Sequence, residues 1–304
     1  MLRNALLWAS TNPLLAQRLP RYPFVKRATR RFMPGEELGD ALSAADRLAD
    51  ASITTTITLL GENLASSDEA DEVLEHYRWA LEEVGERKLD AEISVKLTQL
   101  GLDFGVDAAH DRLTRLARAT SSLVWVDMES SEYVDSTLEI FRSVKQEASN
   151  VGLCLQSYLR RTEADLEALL PLDPAIRLVK GAYQEPTSVA FPRKADVDQS
   201  FMRLTSVLLR ARAAGGQGRP MIASHDPRMI GEASRLAHEL GMDRSAYEYG
   251  MLFGIERAEQ ARLARNGHHV RVLISYGPAW FPWYMRRLAE RPANLWFVAK
   301  QLVR

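Results

Sequence analysis

From residue 53 onward, short apolar runs alternate with longer stretches in which apolar positions recur every three or four residues. The runs fall at 53–60, 93–97, 123–128, 152–159, 176–183, 221–225, 247–253 and 270–276. A continuous apolar run of this length bounded by turn residues fits a strand buried on both faces. The stretches between them, 68–84, 108–119, 132–148, 163–170, 194–214, 227–240 and 256–266, carry the period of an amphipathic helix. An eighth helical segment is expected over 283–289. Eight strand–helix units in succession, with no second break in composition, predict one closed (β/α)8 barrel. A doubly wound open sheet also alternates, but eight units in about 235 residues suit the barrel better.

Several of these strands carry charge where a buried strand should not. In 176–183, Arg177 and Lys180 interrupt an apolar run that ends in Gly181, Ala182 and Tyr183. A buried cation is costly unless it is paired or meets an anion. Small residues at a strand's end let a ligand approach the backbone. Other strands end the same way, at Glu62, Lys96, Asp127 with Glu129, Gln156, Ser224-His225-Asp226 and Tyr276. The C-terminal strand ends of a (β/α)8 barrel share one face, where such barrels carry their active sites. The pattern therefore predicts a site on that face.

Composition narrows the chemistry. At 304 residues, with 46% apolar and 26% charged residues and a formal net charge of -1, the chain has a sizeable core and no global field for nucleic acid. The single cysteine, Cys154, excludes a disulfide framework and a thiolate metal site, and predicts a core thiol in a reducing cytoplasm. No phosphate loop, GxGxxG, HExxH or paired CxxC occurs, and His225 has no partner histidine on a neighbouring strand, so no metal is expected. His268-His269 is expected at the surface of the N-terminal edge of strand eight. No apolar run reaches the roughly 18–20 residues of a membrane span. The first 35 residues hold seven cations and no acid. They predict a helical arm over 1–50 ahead of the barrel, 51–304, packed on it or lying on a membrane surface, and a transit peptide is the other reading of such a start. At the other end, Arg286 and Arg287 form a fork for a carboxylate or phosphate, and Glu290 lies where it can hold one of them. An isolated pair of this kind is also consistent with a surface ion pair.

These residues fall in blocks: VKL at 95–97, VDMES at 126–130, LQSYLRR at 155–161, RLVKGAY at 177–183, ASHD at 223–226, YEYGMLFGI at 247–255 and SYGPAWFPWYMRRLAERP at 275–292. Together they resemble the proline dehydrogenase family over most of 53–292, at the length of its monofunctional bacterial members. The resemblance implies a distorted barrel that binds FAD without a Rossmann domain and oxidises L-proline to Δ1-pyrroline-5-carboxylate by hydride transfer. It implies catalytic roles for Asp127 and Arg177, and a carboxylate grip by Arg286 and Arg287, assisted by Lys96 and oriented by Glu290. Tyr183, Leu252 and Tyr276 would wall the proline ring. Met128, Gln156, Arg177, Lys180, Gly181, Ala182, Ser224 and His225 match flavin-contacting positions. It further implies a quinone or other membrane electron acceptor and a pyrroline-5-carboxylate dehydrogenase as partner. A cytoplasmic protein, peripheral on the inner face of the membrane through its basic arm, is the matching expectation.

The chain departs from the family pattern in places. Gln184 stands where an aromatic residue is common after GAY, Ser224 and Asp226 stand for Thr and Asn, and Gly250 and Ser275 replace larger or stiffer residues. Two other readings stay open on residues alone: a Schiff-base lyase or aldolase using Lys96 or Lys180, and a proline- or flavin-binding sensor without turnover.

Overall fold

The alternation expected from residue 53 is the architecture of the computed structural model, which describes residues 12, 29–61, 64–281, 284 and 285. Among the described residues helix α1 (Leu38–Ala49) leads into the barrel. Then follow β1 (Thr54–Leu59), α2 (Ser67–Glu86), β2 (Ala91–Lys96), α3 (Val106–Arg118), β3 (Val124–Asp127), α4 (Val134–Glu147), β4 (Val151–Gln156) and α5 (Thr162–Leu169). The second half runs β5 (Ala175–Val179), α6 (Lys194–Ala213), β6 (Pro220–Ala223), α7 (Pro227–Glu239), β7 (Glu248–Leu252), α8 (Arg257–Arg265) and β8 (His269–Tyr276). The eight strands pair in parallel and in sequence order, and β8 closes on β1, with Thr54 beside Arg271. Apart from Tyr284 and Met285, the helix expected at 283–289 lies outside the described residues, as do residues 1–28 apart from Asn12.

Local chemistry explains the element ends. Ser66 caps α2 by accepting the Glu69 N–H at 3.3 Å, and Asp68 and Glu69 complement the positive end of the helix. The same helix buries Ala70, Leu74, Tyr77, Ala80 and Val84, one stripe at helical spacing. Pro227 opens α7 behind the capping carboxylate of Asp226. Two strands stop earlier than their apolar runs suggest. Gly181, at φ 112°, breaks the extended backbone after β5. Beyond β4, Leu159 leaves the barrel to form an antiparallel bridge with Ala190.

The main core lies between strands and helices: Ile57, Val126 and Leu178 from the barrel meet Leu74, Phe141 and Leu204 from the surrounding helices. The buried face of α1, including Leu42 and Ala45, joins this same cluster. Burying each large aliphatic side chain contributes roughly 1.5–3 kcal/mol, so most of the fold's stability originates in this layer.

The barrel interior is different. Its apolar content is a small separate cluster of Trp125, Ala175 and Met221, near the N-terminal ends of β3, β5 and β6. Beside it lies a buried floor of charge. Arg219 reaches Glu92 at 2.5 Å and Glu248 at 2.6 Å, and Arg271 reaches Glu248 at 3.1 Å and the Thr55 carbonyl at 2.9 Å. Burial alone would raise the carboxyl pKa of Glu248, but Arg271 and Arg219 reverse this and hold it below the usual range. The floor is invisible to apolar periodicity because its members join strands far apart in the chain.

One surface expectation is corrected here. His269 is exposed, but His268 lies against the rings of Tyr247 and Tyr249, at 6.2 and 5.4 Å between centroids. Its N–H closes the turn after α8 on Leu263 O at 3.1 Å, which brings the imidazole back onto β7.

Candidate active site

The C-terminal strand ends carry the side chains the sequence singled out. Lys96 closes β2 and Asp127 closes β3, and the two are register partners. Gln156 closes β4, Leu252 closes β7 and Tyr276 closes β8. Met128 follows β3 and is buried, and its carbonyl accepts the Gln156 Nε2–H at 3.1 Å. That bond fixes the amide, and Gln156 Oε1 is left buried with no hydrogen-bond partner among the described residues. Glu129 turns aside instead, taking the Thr98 N–H at 3.1 Å and the Thr98 hydroxyl at 2.7 Å.

Arg177 sits one layer below, in the middle of β5, and is only 5% exposed. Its Nη2 donates to Ser94 Oγ at 2.8 Å and forms an ion pair with Asp127. Ser94 belongs to β2, so with β3 and β4 in between, that bond must cross the barrel interior. Burial opposes the charge on the guanidinium, yet Asp127, Cys154 and Glu92 together offset it and its pKa lies above the ordinary arginine value. The single thiol, Cys154, lies buried beside Arg177; burial pushes its pKa up and the guanidinium opposes that.

Around the rim, Lys180 donates to Asp198 Oδ1 of α6 at 2.7 Å. Gly181 has a reason of its own: a Cβ there would fall 2.1 Å from the Tyr158 ring. The residue is therefore required by the local packing. Ala182 and Tyr183 are half-buried beside it. Just past β6, the buried Ser224 Oγ accepts the Asp226 N–H at 3.1 Å. His225 Nε2 accepts the Leu252 N–H at 3.1 Å, which assigns the ring proton to Nδ1. Asp226, the departure that adds a charge, pairs with Arg228 at 2.9 Å, and that bond brings its pKa down to about 2.

Tyr276 is buried, and its hydroxyl meets His76 Nε2 of α2 at 2.7 Å. Burial raises the phenol pKa and lowers that of His76. The described end of the basic arm packs nearby. Phe32 and Met33 are buried, Phe32 meets the Tyr284 ring at 6.1 Å, and Glu36 accepts from the Trp280 indole at 3.0 Å. Glu62, Arg286, Arg287 and Glu290 lie outside the described residues. Sequence reasoning missed Ser94, His76 and Asp198. Ser94 and His76 carry no local signal, and Asp198 looks like one more charge on an amphipathic helix.

Comparison with known proteins bears on the family and the barrel. A protein-family profile described as proline dehydrogenase matches residues 41–300. Proline dehydrogenase 1 of Bacillus subtilis is 36% identical over 307 residues, spanning 100% of both chains. Proline dehydrogenase of Deinococcus radiodurans is 36% identical, covering 99% of this chain and 98% of that one. Among solved structures, proline utilization A from Bdellovibrio bacteriovorus, inactivated by N-propargylglycine, superposes with a TM-score of 0.81 at 22% identity. That match covers 95% of this chain and 36% of the other, so this chain spans about a third of its length, and the likeness speaks for the barrel alone.

Proposed function

The chain belongs to the proline dehydrogenase family, and from that premise we propose how its barrel mouth performs the family's reaction with FAD as the flavin. The enzyme oxidises proline, the first step of proline catabolism, in a flavin-dependent family. The lyase and sensor readings have no observation in their favour. Lys180, one of the two lysines a lyase would use, is the donor in an ion pair with Asp198.

The observation that carries the proposal is Arg177, a buried guanidinium held just below the mouth by Asp127 and Ser94. The donor set around it suits a flat heterocycle with both donors and acceptors. Gln156 Oε1, buried and open to a donor, fits a ring N–H. His225 offers Nδ1–H as a donor because Nε2 is taken by the Leu252 N–H. Met128, Lys180, Gly181, Ala182 and Ser224 complete the proposed cofactor contacts.

When bound, the flavin supplies the acceptor for a hydride. The chain's residues do the rest. Arg177 places positive charge where negative charge develops, in a site from which water is largely excluded. Asp127 keeps that cation in register. Arg286 and Arg287 grip the substrate carboxylate with Lys96 assisting and Glu290 orienting, a two-point hold that fixes the distance between substrate and acceptor. Tyr183, Leu252 and Tyr276 enclose the ring, and His76 sets the orientation of the Tyr276 hydroxyl. For the electron acceptor we propose a membrane quinone, reached by salt-sensitive binding of the basic arm to an anionic surface, and for the product a pyrroline-5-carboxylate dehydrogenase. Among the described residues no helix is long and apolar enough to cross a membrane.

The test is a visible spectrum of the purified protein before and after anaerobic proline. A flavin band that proline bleaches is expected. A protein that cannot be loaded with FAD, or whose flavin proline leaves oxidised, overturns the proposal.

A further inference from the structure

We infer that Trp125 is a positioning residue for Arg177, its ring lying between that guanidinium and the charged floor of the barrel. This rests on the proposed function, in which Arg177 serves the reaction. Trp125 is the second residue of β3 and is fully buried inside the barrel with Ala175 and Met221. The neighbouring strand makes room for it: a Cβ on Gly152 would lie 2.7 Å from the indole. The indole N–H donates to Glu92 Oε2 at 2.7 Å, while Arg219 takes Glu92 Oε1 at 2.5 Å. The rotation of the ring is thereby set from below. From above, the Arg177 guanidinium carbon lies 5.0 Å from the ring centroid, and from the floor that of Arg219 lies 5.8 Å from it.

The hydrogen bonds explain why such a platform is needed. The bonds to Ser94 and to Asp127 both leave from Nη2. A planar group whose oxygen partners both sit on one nitrogen, with only the weakly bonding Cys154 thiol beside it, can still turn about that nitrogen. A flat, electron-rich face beneath it removes that freedom and favours the charged group at the same time. An aliphatic side chain would fill the same volume without doing either.

The test compares Trp125→Phe with Trp125→Leu in the flavin-loaded enzyme. Both lose the indole N–H and both leave space, but only phenylalanine keeps a ring face. The expected result is that Trp125→Phe stays within about threefold of the parent in kcat. Trp125→Leu should lose at least about tenfold in kcat with KM little changed, since the carboxylate grip is elsewhere. A misaligned cation also favours the more negative form of the bound flavin less. The midpoint potential in Trp125→Leu should therefore fall by about 30 mV, the equivalent of tenfold in a two-electron constant. In an Arg177→Lys background the two Trp125 variants should become equal. Equal losses in the parent background, or an unchanged midpoint in Trp125→Leu, overturn the inference while leaving the proposed function intact. If Trp125→Leu does not fold, Trp125→Met takes its place. If neither folds while Trp125→Phe does, the fold and not Arg177 requires the ring, and the inference fails. A parent enzyme whose flavin proline does not bleach overturns the proposed function, and this inference with it.

Discussion

The barrel holds buried arginine–carboxylate pairs at two levels, and the two levels are built differently. On the floor, Arg219 bridges Glu92 and Glu248, and Arg271 adds Glu248 and a backbone carbonyl, so each group has several fixed partners. In the middle layer, Arg177 reaches Asp127 and Ser94 through a single nitrogen, and Asp127 is the more open partner, with 21% of its side chain exposed. Charges removed from water contribute net stability only when geometry and extra hydrogen bonds offset desolvation. The floor meets that condition within the protein itself. The mouth leaves part of it to whatever binds there, which is what a site for an anionic substrate and a polar cofactor requires. Saturation by neighbours marks the structural end of the barrel, and incomplete saturation marks the working end.

The largest effect should come from breaking the floor. Glu248→Gln leaves the buried Arg271 and the half-buried Arg219 facing a neutral amide. Removing one partner of a buried pair costs about 3–5 kcal/mol, and here the lower figure applies because Glu92 still faces both. Calorimetry should show Tm falling by roughly 5 °C, with kcat per folded molecule within about twofold of the parent, because Glu92 still holds the Trp125 indole. A large loss of kcat with unchanged Tm would erase the distinction between the levels. Acid should dissect the same contribution. The folded pKa of Glu248 lies below its unfolded value of about 4.3. Its share of stability is therefore complete above that value and lost as pH falls through the folded pKa. Denaturant midpoints followed downward from pH 6 should drop more steeply for the parent than for Glu248→Gln.

At the mouth the same kind of change should act on catalysis. If Arg286 and Arg287 clamp a carboxylate by two points, lysine cannot replace either despite equal charge. Losing a charge-assisted hydrogen bond costs roughly 1.5–3 kcal/mol, so each Arg→Lys variant should lose about 10- to 150-fold in kcat/KM. Prolinamide should lose less than proline, and Glu290→Ala should lose less than either arginine variant. Equal losses on both substrates would remove the clamp. Asp127→Ala releases Arg177 from its carboxylate and should reduce kcat by more than about tenfold, in the same steady-state assay with flavin content checked. Near-normal turnover would make Asp127 a structural residue like those of the floor.

The smallest effect sharpens the contrast. Asp226 is a carboxylate at the mouth that is already satisfied, by Arg228 and by its own helix cap. Asparagine caps a helix as well, so Asp226→Asn should change kcat/KM by less than about twofold and stability by under about 1 kcal/mol. A tenfold kinetic effect would show that the added charge matters to the reaction.

Much of this was legible in the chain. The alternation of strand and helix periods, the polar residues at strand ends, and the blocks around Arg177 and His225 pointed to the barrel, its working face and its family. The extension of strand five to Tyr183 and the surface position of His268 were misread. In both, a glycine conformation or a turn closure outweighed the local pattern.

By itself, then, the sequence determined the barrel and the polar residues gathered at the C-terminal ends of its strands, because strand period and turn chemistry are local properties that repeat along the chain. Which charges meet was decided only by tertiary structure. Glu92 and Arg219 are 127 residues apart, and Ser94 and Arg177 are 83 apart. The same holds for the indole beneath the guanidinium: Trp125 in sequence is one more apolar residue in a strand. Closure of the barrel turns alternate side chains of every strand into one shared interior. A pairing across that interior leaves no trace in the local pattern of either strand.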